Sequence, residues 1–171
     1  PYQKEHLNKL GFSKLAEWVE YKIKIFSAEE APEKVKKFSK IIQERYKLKV
    51  LNFKSTKEIM PYVDKMFELL NVTYSNLQTY VTIKQYQIDF YKEKFIKYIH
   101  PDFIKCCLDE NDNLIAFLIT MPSFSRALKK INGKIGLMGY FHLFKAQHFN
   151  NRVSLYLIGV DPRYQSKGVT A

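Results

Sequence analysis

Val153-Ser154-Leu155-Tyr156-Leu157-Ile158-Gly159-Val160, then Asp161-Pro162-Arg163-Tyr164, then Gln165-Ser166-Lys167-Gly168-Val169-Thr170-Ala171, is the stretch on which the reading of this chain turns. An apolar run of strand length meets a proline turn and then a glycine in a cationic, polar loop. A hydrophobic strand that ends in a Gly-bearing turn and heads towards a helix is a layout that presents backbone N–H groups to a phosphate. Glycine at position 168 permits close approach, because it carries no side chain.

The rest of the composition bounds what such a strand and loop can belong to. The 171 residues suffice for one domain, or one with an appendage. The hydrophobic fraction is 46%, with 12 Tyr and 13 Phe, which supplies a core and argues against disorder. The longest apolar run, Leu114–Met121, is strand-sized and far short of the roughly 20 residues a membrane helix needs. The net charge of +11, from 28 Lys and Arg against 17 Asp and Glu, favours an anionic partner, although the lysines are scattered as on a solvated surface. There is no RNP-like motif, zinc-finger spacing or RGG tract, so no specific nucleic acid is expected. Neither a membrane nor a metal is expected, since no carboxylate or cysteine stands at ligand spacing from His6, His100, His142 or His148. Cys106 and Cys107 are neighbours on a strand and point to opposite faces, which disfavours a mutual disulfide and fits free thiols in a reducing cytoplasm. No initiator Met or leader pattern opens the chain, so a segment of a longer protein is expected.

Periodicity divides the chain. Glu5–Leu10 reads as a helix closed by Gly11, and Leu15–Ile25 alternates like a half-buried strand. Val35, Phe38, Ile41 and Ile42 mark a helix to about Tyr46. Leu48–Phe53 reads as a strand. Ser55-x-x-Glu58 is a capping-box pattern before the stripe Ile59, Val63, Met66, Phe67 and Leu70. Pro61 lies deep in that helix, so a kink, or a start at Met60, is predicted. Thr82-x-x-Gln85 is a second capping pattern, for a helix through Phe90, Phe95 and Ile99 that ends at His100-Pro101. Phe103–Leu108, the turn Asp109–Asn113 and Leu114–Thr120 form the clearest hairpin, its second arm apolar enough to be a central strand. Ser125–Asn132 and Tyr140–Gln147 read as short helices before the strand Val153–Val160.

The spacing Gln165-x-x-Gly168 with the small position at Thr170 resembles the pyrophosphate-binding signature of the GCN5-related N-acetyltransferases (GNAT superfamily), Gln/Arg-x-x-Gly-x-Gly/Ala. Val160-Asp161-Pro162 is similar to the Val-x-Pro at the end of that family's fourth strand, and the acidic hairpin turn Asp109-Glu110-Asn111-Asp112-Asn113 to its second and third strands. This likeness covers about 120 residues, with the element order of the family's N-terminal half. His6-Leu7-Asn8-Lys9-Leu10-Gly11-Phe12 and the segment after it look like the end of such a domain, with Leu7 where a Tyr is usual. The resemblance implies an α+β fold with a mixed, mostly antiparallel sheet flanked by helices. It implies three segments: residues 1–26 closing a preceding GNAT-like domain, 27–47 a connecting helix, and 48–171 the first half of an acyl-CoA-binding domain that pairs with the rest of a longer bacterial chain. A permuted single domain, with Leu15–Ile25 in the same sheet, stays open.

The resemblance further implies acetyl-CoA or coenzyme A as co-substrate. Its pyrophosphate would be held by Gln165, Ser166, Lys167, Gly168, Val169 and Thr170, with charge from Arg163. Its pantetheine amides would pair with Leu157, Ile158, Gly159 and Val160, with Gly159 supplying a bulge that splays the strand. The family often carries a glutamate on this strand, and none is present. Ser154 and Tyr156, which strand alternation puts on one face, are the only polar side chains and the catalytic candidates. Tyr156 reads first as a packed core aromatic, since tyrosines are common on strands, and only second as a catalytic group. The expected function is acyl-CoA-dependent transfer of an acetyl group to an amine of a small molecule or protein, in the cytoplasm. The alternative is a non-catalytic GNAT-fold module that binds acyl-CoA or a protein. A basic nucleic-acid-binding domain is a distant third.

Overall fold

A computed structural model describes residues 2–25, 27, 29–96, 99–132 and 136–170. Two compact units divide between Pro32 and Glu33. The boundary therefore falls within the span expected as a connector, and the helix after it belongs with the sheet.

The first unit contains α1 (Tyr2–Lys9), followed by Gly11 and a chain without regular structure. Leu15–Ile25 does not form the predicted strand. Trp18, Tyr21, Ile23 and Ile25 are all strongly exposed. Alternation is a property of one strand, but a ladder needs a second one to take its hydrogen bonds. No such partner exists among the described residues of this unit.

The second unit begins with α2 (Glu33–Arg45) and β1 (Lys49–Asn52), then α3 (Thr56–Tyr74) and α4 (Gln85–Lys94). The hairpin β2 (Ile104–Leu108) and β3 (Leu114–Pro122) follows, then α5 (Ser125–Lys130), α6 (Leu137–His148) and β4 (Val153–Val160). The four strands pair antiparallel in the order β1-β2-β3-β4, so β3 is central and β4 is an edge. The α+β class with an antiparallel sheet flanked by helices is as the sequence predicts.

The apolar stripe of α3 covers one face of the sheet. Ile59, Val63, Met66, Phe67 and Leu70 pack with Ile104, Cys106, Phe117 and Ile119, and Leu157 adjoins them from β4. Ile59, Val63, Ile104 and Ile115 have no measurable exposure, and burying each such side chain stabilises by about 1.5–3 kcal/mol. Burial pushes the Cys106 thiol up to about 12 and raises Cys107 as well; both cysteines are free thiols.

Pro61 neither delays nor ends α3, which starts at Thr56 and runs through it. The cost is one N–H close to the helix start, and the buried stripe on either side offsets it. The predicted capping box does not form, because Glu58 reaches the N–H one residue before the Ser55 cap. The Ser55 side chain makes no cap hydrogen bond, whereas Glu58 accepts from the Lys54 N–H at 2.9 Å. The next helix starts one turn after Thr82, with Gln87 accepting from the Lys84 N–H, and stops at Lys94 instead of continuing to Ile99. The β2–β3 turn is organised by Asp109, which is buried although ionisable. Its carboxylate accepts from the N–H groups of Asn111 and Asn113 and from the Asn113 side chain. Burial alone would raise this carboxyl, but those hydrogen bonds outweigh it and hold it below the usual range.

Candidate functional site

Strand β4 is paired to β3 along its whole length, from Val153 opposite Pro122 to Val160 opposite Ala116. The Asp161 N–H donates to the Ile115 carbonyl at 2.8 Å, which makes Val160 and Ala116 a non-hydrogen-bonded pair. The backbone polar groups of Val160, and of Ile158 two residues earlier, therefore point away from β3 towards the free edge. That edge is half used. The Tyr74 hydroxyl donates to the Ile158 carbonyl at 3.0 Å, and the Thr73 hydroxyl to the Val160 carbonyl at 3.2 Å. The Gln165 side-chain amide adds a second donor to Val160 at 3.0 Å. What remains on the edge is a pair of N–H donors.

The bulge in β4 is not at Gly159. Ile119 faces Leu157 and Thr120 faces Leu155, so Tyr156 is the extra residue. Gly159 sits opposite Phe117, and any Cβ there would run into the Phe117 ring. Its small size serves packing on the α3 side of the sheet. The bulge interrupts the alternation expected to place Ser154 and Tyr156 together. It also leaves Tyr156 59% exposed, which removes its reading as a packed core aromatic. Ser154 is half-buried near the start of the strand.

After β4 a short 3-10 turn, Pro162–Tyr164, is capped by Asp161, whose carboxylate accepts from the Arg163 N–H at 2.8 Å. The Arg163 guanidinium folds back onto the same carboxylate at 2.7 Å. Those hydrogen bonds hold Asp161 below the usual carboxylate range and raise Arg163. The Arg163 charge thus has a partner on its own turn.

The loop beyond it divides its amides. Gln165 N–H donates to Asp161 O and Lys167 N–H to Tyr164 O. Those of Ser166, Gly168, Val169 and Thr170 have no backbone acceptor among the described residues. Ser166 and Gly168 both hold positive φ, +62° and +78°. These two left-handed residues flank Lys167, whose own N–H is spent on Tyr164, and each keeps an N–H without a backbone acceptor among the described residues. The α-carbon of Gly168 meets α2, where a Cβ would lie 2.8 Å from Phe38 and 3.5 Å from Ile42. One surface of the glycine is thus committed to packing. Lys167 lies over two rings, its ammonium 4.9 Å from the centroid of Tyr164 and 5.3 Å from that of Tyr46, an arrangement that holds a cation beside the loop without neutralising it.

Phe38, Tyr46, Thr73 and Tyr74 were not among the expected site residues. A signal existed for Tyr74, which continues the α3 stripe at three- and four-residue steps from Phe67 and Leu70 and must reach the sheet. Nothing in the local pattern assigns Phe38 or Tyr46 to the loop. Among the described residues no three His, Cys, Asp or Glu side chains converge as metal ligands, and no helix is long and apolar enough to cross a membrane.

No protein-family model and no curated protein matches the chain. Among solved structures it is similar to a Corynebacterium glutamicum protein described as histone acetyltransferase HPA2 and related acetyltransferase. The two are 15% identical with a TM-score of 0.41, over 71% of this chain and 65% of that one, so the chain spans less than two thirds of that protein.

Proposed function

We propose that residues 48–171 form the cofactor-binding half of an acyl-CoA-dependent N-acyltransferase of the GNAT type. The observation that carries this reading is continuity. Two outward N–H donors on the β4 edge, at Ile158 and Val160, run directly into a loop with four more amides that lack backbone acceptors among the described residues. A long ligand with carbonyls at one end and a diphosphate at the other matches that order. The diphosphate would lie on the amides of Ser166, Gly168, Val169 and Thr170, with Lys167 supplying charge; Gln165 and Arg163 act by bracing the turn. The pantetheine arm would receive donors from Ile158 and Val160. Because Tyr74, Thr73 and Gln165 already occupy the carbonyls, full strand-like pairing is replaced by one-way donation. When bound, the cofactor would supply the acetyl thioester. The acceptor is an amine, of a small molecule or a protein, and the working compartment is the cytoplasm.

Titration calorimetry with coenzyme A and with pantetheine tests this. Ser166→Asp is suited to the purpose, since Ser166 is exposed and Asp tolerates positive φ. Placing a carboxylate beside the diphosphate should weaken coenzyme A roughly 10–30-fold while leaving pantetheine unchanged. Equal affinity of the variant for coenzyme A would overturn the assignment.

A second reading is a non-catalytic module on the same fold that binds acyl-CoA or a protein. Its support is the β4 strand itself, which carries no carboxylate and offers only Ser154 and the exposed Tyr156 as polar side chains. Thiol release on a panel of amines separates the two: turnover favours the enzyme, and binding without turnover favours the module.

A further inference from the structure

Helix α6 carries large apolar side chains on both its faces, yet only one side of it is covered. Gly139 is buried and His142, Leu143 and Ala146 are partly covered, at the three- and four-residue spacing of an inward face. The opposite face carries Leu137, Met138, Tyr140, Phe141 and Phe144, with Phe149 just beyond the helix, and each is more than half exposed. A helix of this kind is ordinarily covered on every side, and an apolar patch this dense marks a contact surface.

The charge around it says what kind of contact. Between Asp112 and Asp161 the sequence contains no acidic residue. The same span carries Arg126, Lys129 and Lys130 on α5 and Lys145 on α6, all exposed. None of these four has an ion-pair partner among the described residues. Elsewhere in the unit several lysines are paired, Lys47 with Glu110, Lys49 with Asp112 and Lys92 with Asp64. The α5–α6 segment therefore combines exposed aromatic and aliphatic side chains with unneutralised cations and excludes every carboxylate that anionic headgroups would repel. We propose that this segment docks peripherally on an anionic lipid bilayer, with the outer face of α6 lying in the interface and the α5 cations on headgroup phosphates. Such a contact needs no membrane-spanning helix, and it stands independently of the acyltransferase reading. Apolar burial and cation–headgroup attraction act together in interfacial helices.

Vesicle co-sedimentation of the whole chain tests this, using phosphatidylcholine vesicles with and without roughly one-third phosphatidylglycerol. The chain is expected to sediment with the anionic vesicles at least about tenfold more strongly than with the neutral ones, and less in high salt. Phe141→Ser with Phe144→Ser should reduce this binding at least about tenfold, with an unchanged circular dichroism melt, because both side chains are exposed. Lys129→Gln with Lys130→Gln should reduce it roughly 30-fold. Lys57→Gln with Lys65→Gln, on α3, removes the same charge elsewhere and should have little effect. Equal loss in that control, equal sedimentation with both vesicle types, or unchanged binding of the phenylalanine variant would each overturn the proposal. So would concentration-dependent self-association, abolished by the phenylalanine variant, in a chain that binds no vesicle; that outcome assigns the face to a second copy.

Discussion

The two ends of the sheet's second unit are built on opposite principles. On the α3 side of β1–β3, apolar groups are covered, and Lys47, Lys49 and Lys92 are matched by carboxylates. Around α5, α6 and the start of β4, large apolar groups are exposed, and Arg126, Lys129, Lys130 and Lys145 have no ion-pair partner among the described residues. Leu155 and Tyr156 on β4 share that exposure. The first region derives its order from within, so its residues report on stability. The second contributes little to its own order, so its residues report on what the protein meets.

That contrast is broken most directly by truncating one residue in each region. Ile59→Ala removes a side chain with no exposure from α3 and should cost about 3–4 kcal/mol in chemical denaturation. Phe144→Ala, a larger deletion on α6, should change stability by less than about 0.5 kcal/mol. Comparable losses at the two sites would erase the distinction. Asp109→Ala comes next, with an expected loss of about 2–3 kcal/mol, because two N–H groups and an amide lose a charged acceptor. The pH dependence sharpens the point. The Asp109 carboxyl is held below its ordinary value, so its contribution is fully present above the unfolded-state value near 4 and is lost as pH falls through the folded one. Wild-type stability should drop in that acid window, and the alanine variant should drop less. Gly159→Ala follows, with about 1–2 kcal/mol lost from collision with Phe117, and Phe117→Leu in the same chain should recover part of it. A glycine needed for a bulge would show no such rescue.

What the sequence disclosed follows the same divide. The hairpin was legible because an apolar strand, an Asx-rich turn and a second apolar strand determine one another locally. The stripe of α3 was legible because its period is strong enough to absorb Pro61. Leu15–Ile25 misled, because alternation describes a face and says nothing of whether a neighbouring strand exists. The bulge at Tyr156 was hidden because register is settled between β3 and β4, not within either. In the candidate loop the strand, the glycine and the turn were readable. The use of Arg163 on Asp161, and of Thr73 and Tyr74 on the β4 carbonyls, depends on side-chain directions that no spacing encodes. Phe38 against Gly168 is a contact between residues far apart in sequence, and only the folded chain brings them together.

The hydroxyls of Tyr74 and Thr73 have an effect on solubility as well. A bare sheet margin recruits stray strands because it alternates donors with acceptors, and pairing of that kind is how sheets grow into fibrils. Here the acceptors at Ile158 and Val160 are blunted, so an incoming polypeptide finds only every second contact. A margin so disarmed can stay open to solvent without becoming a template for its own kind.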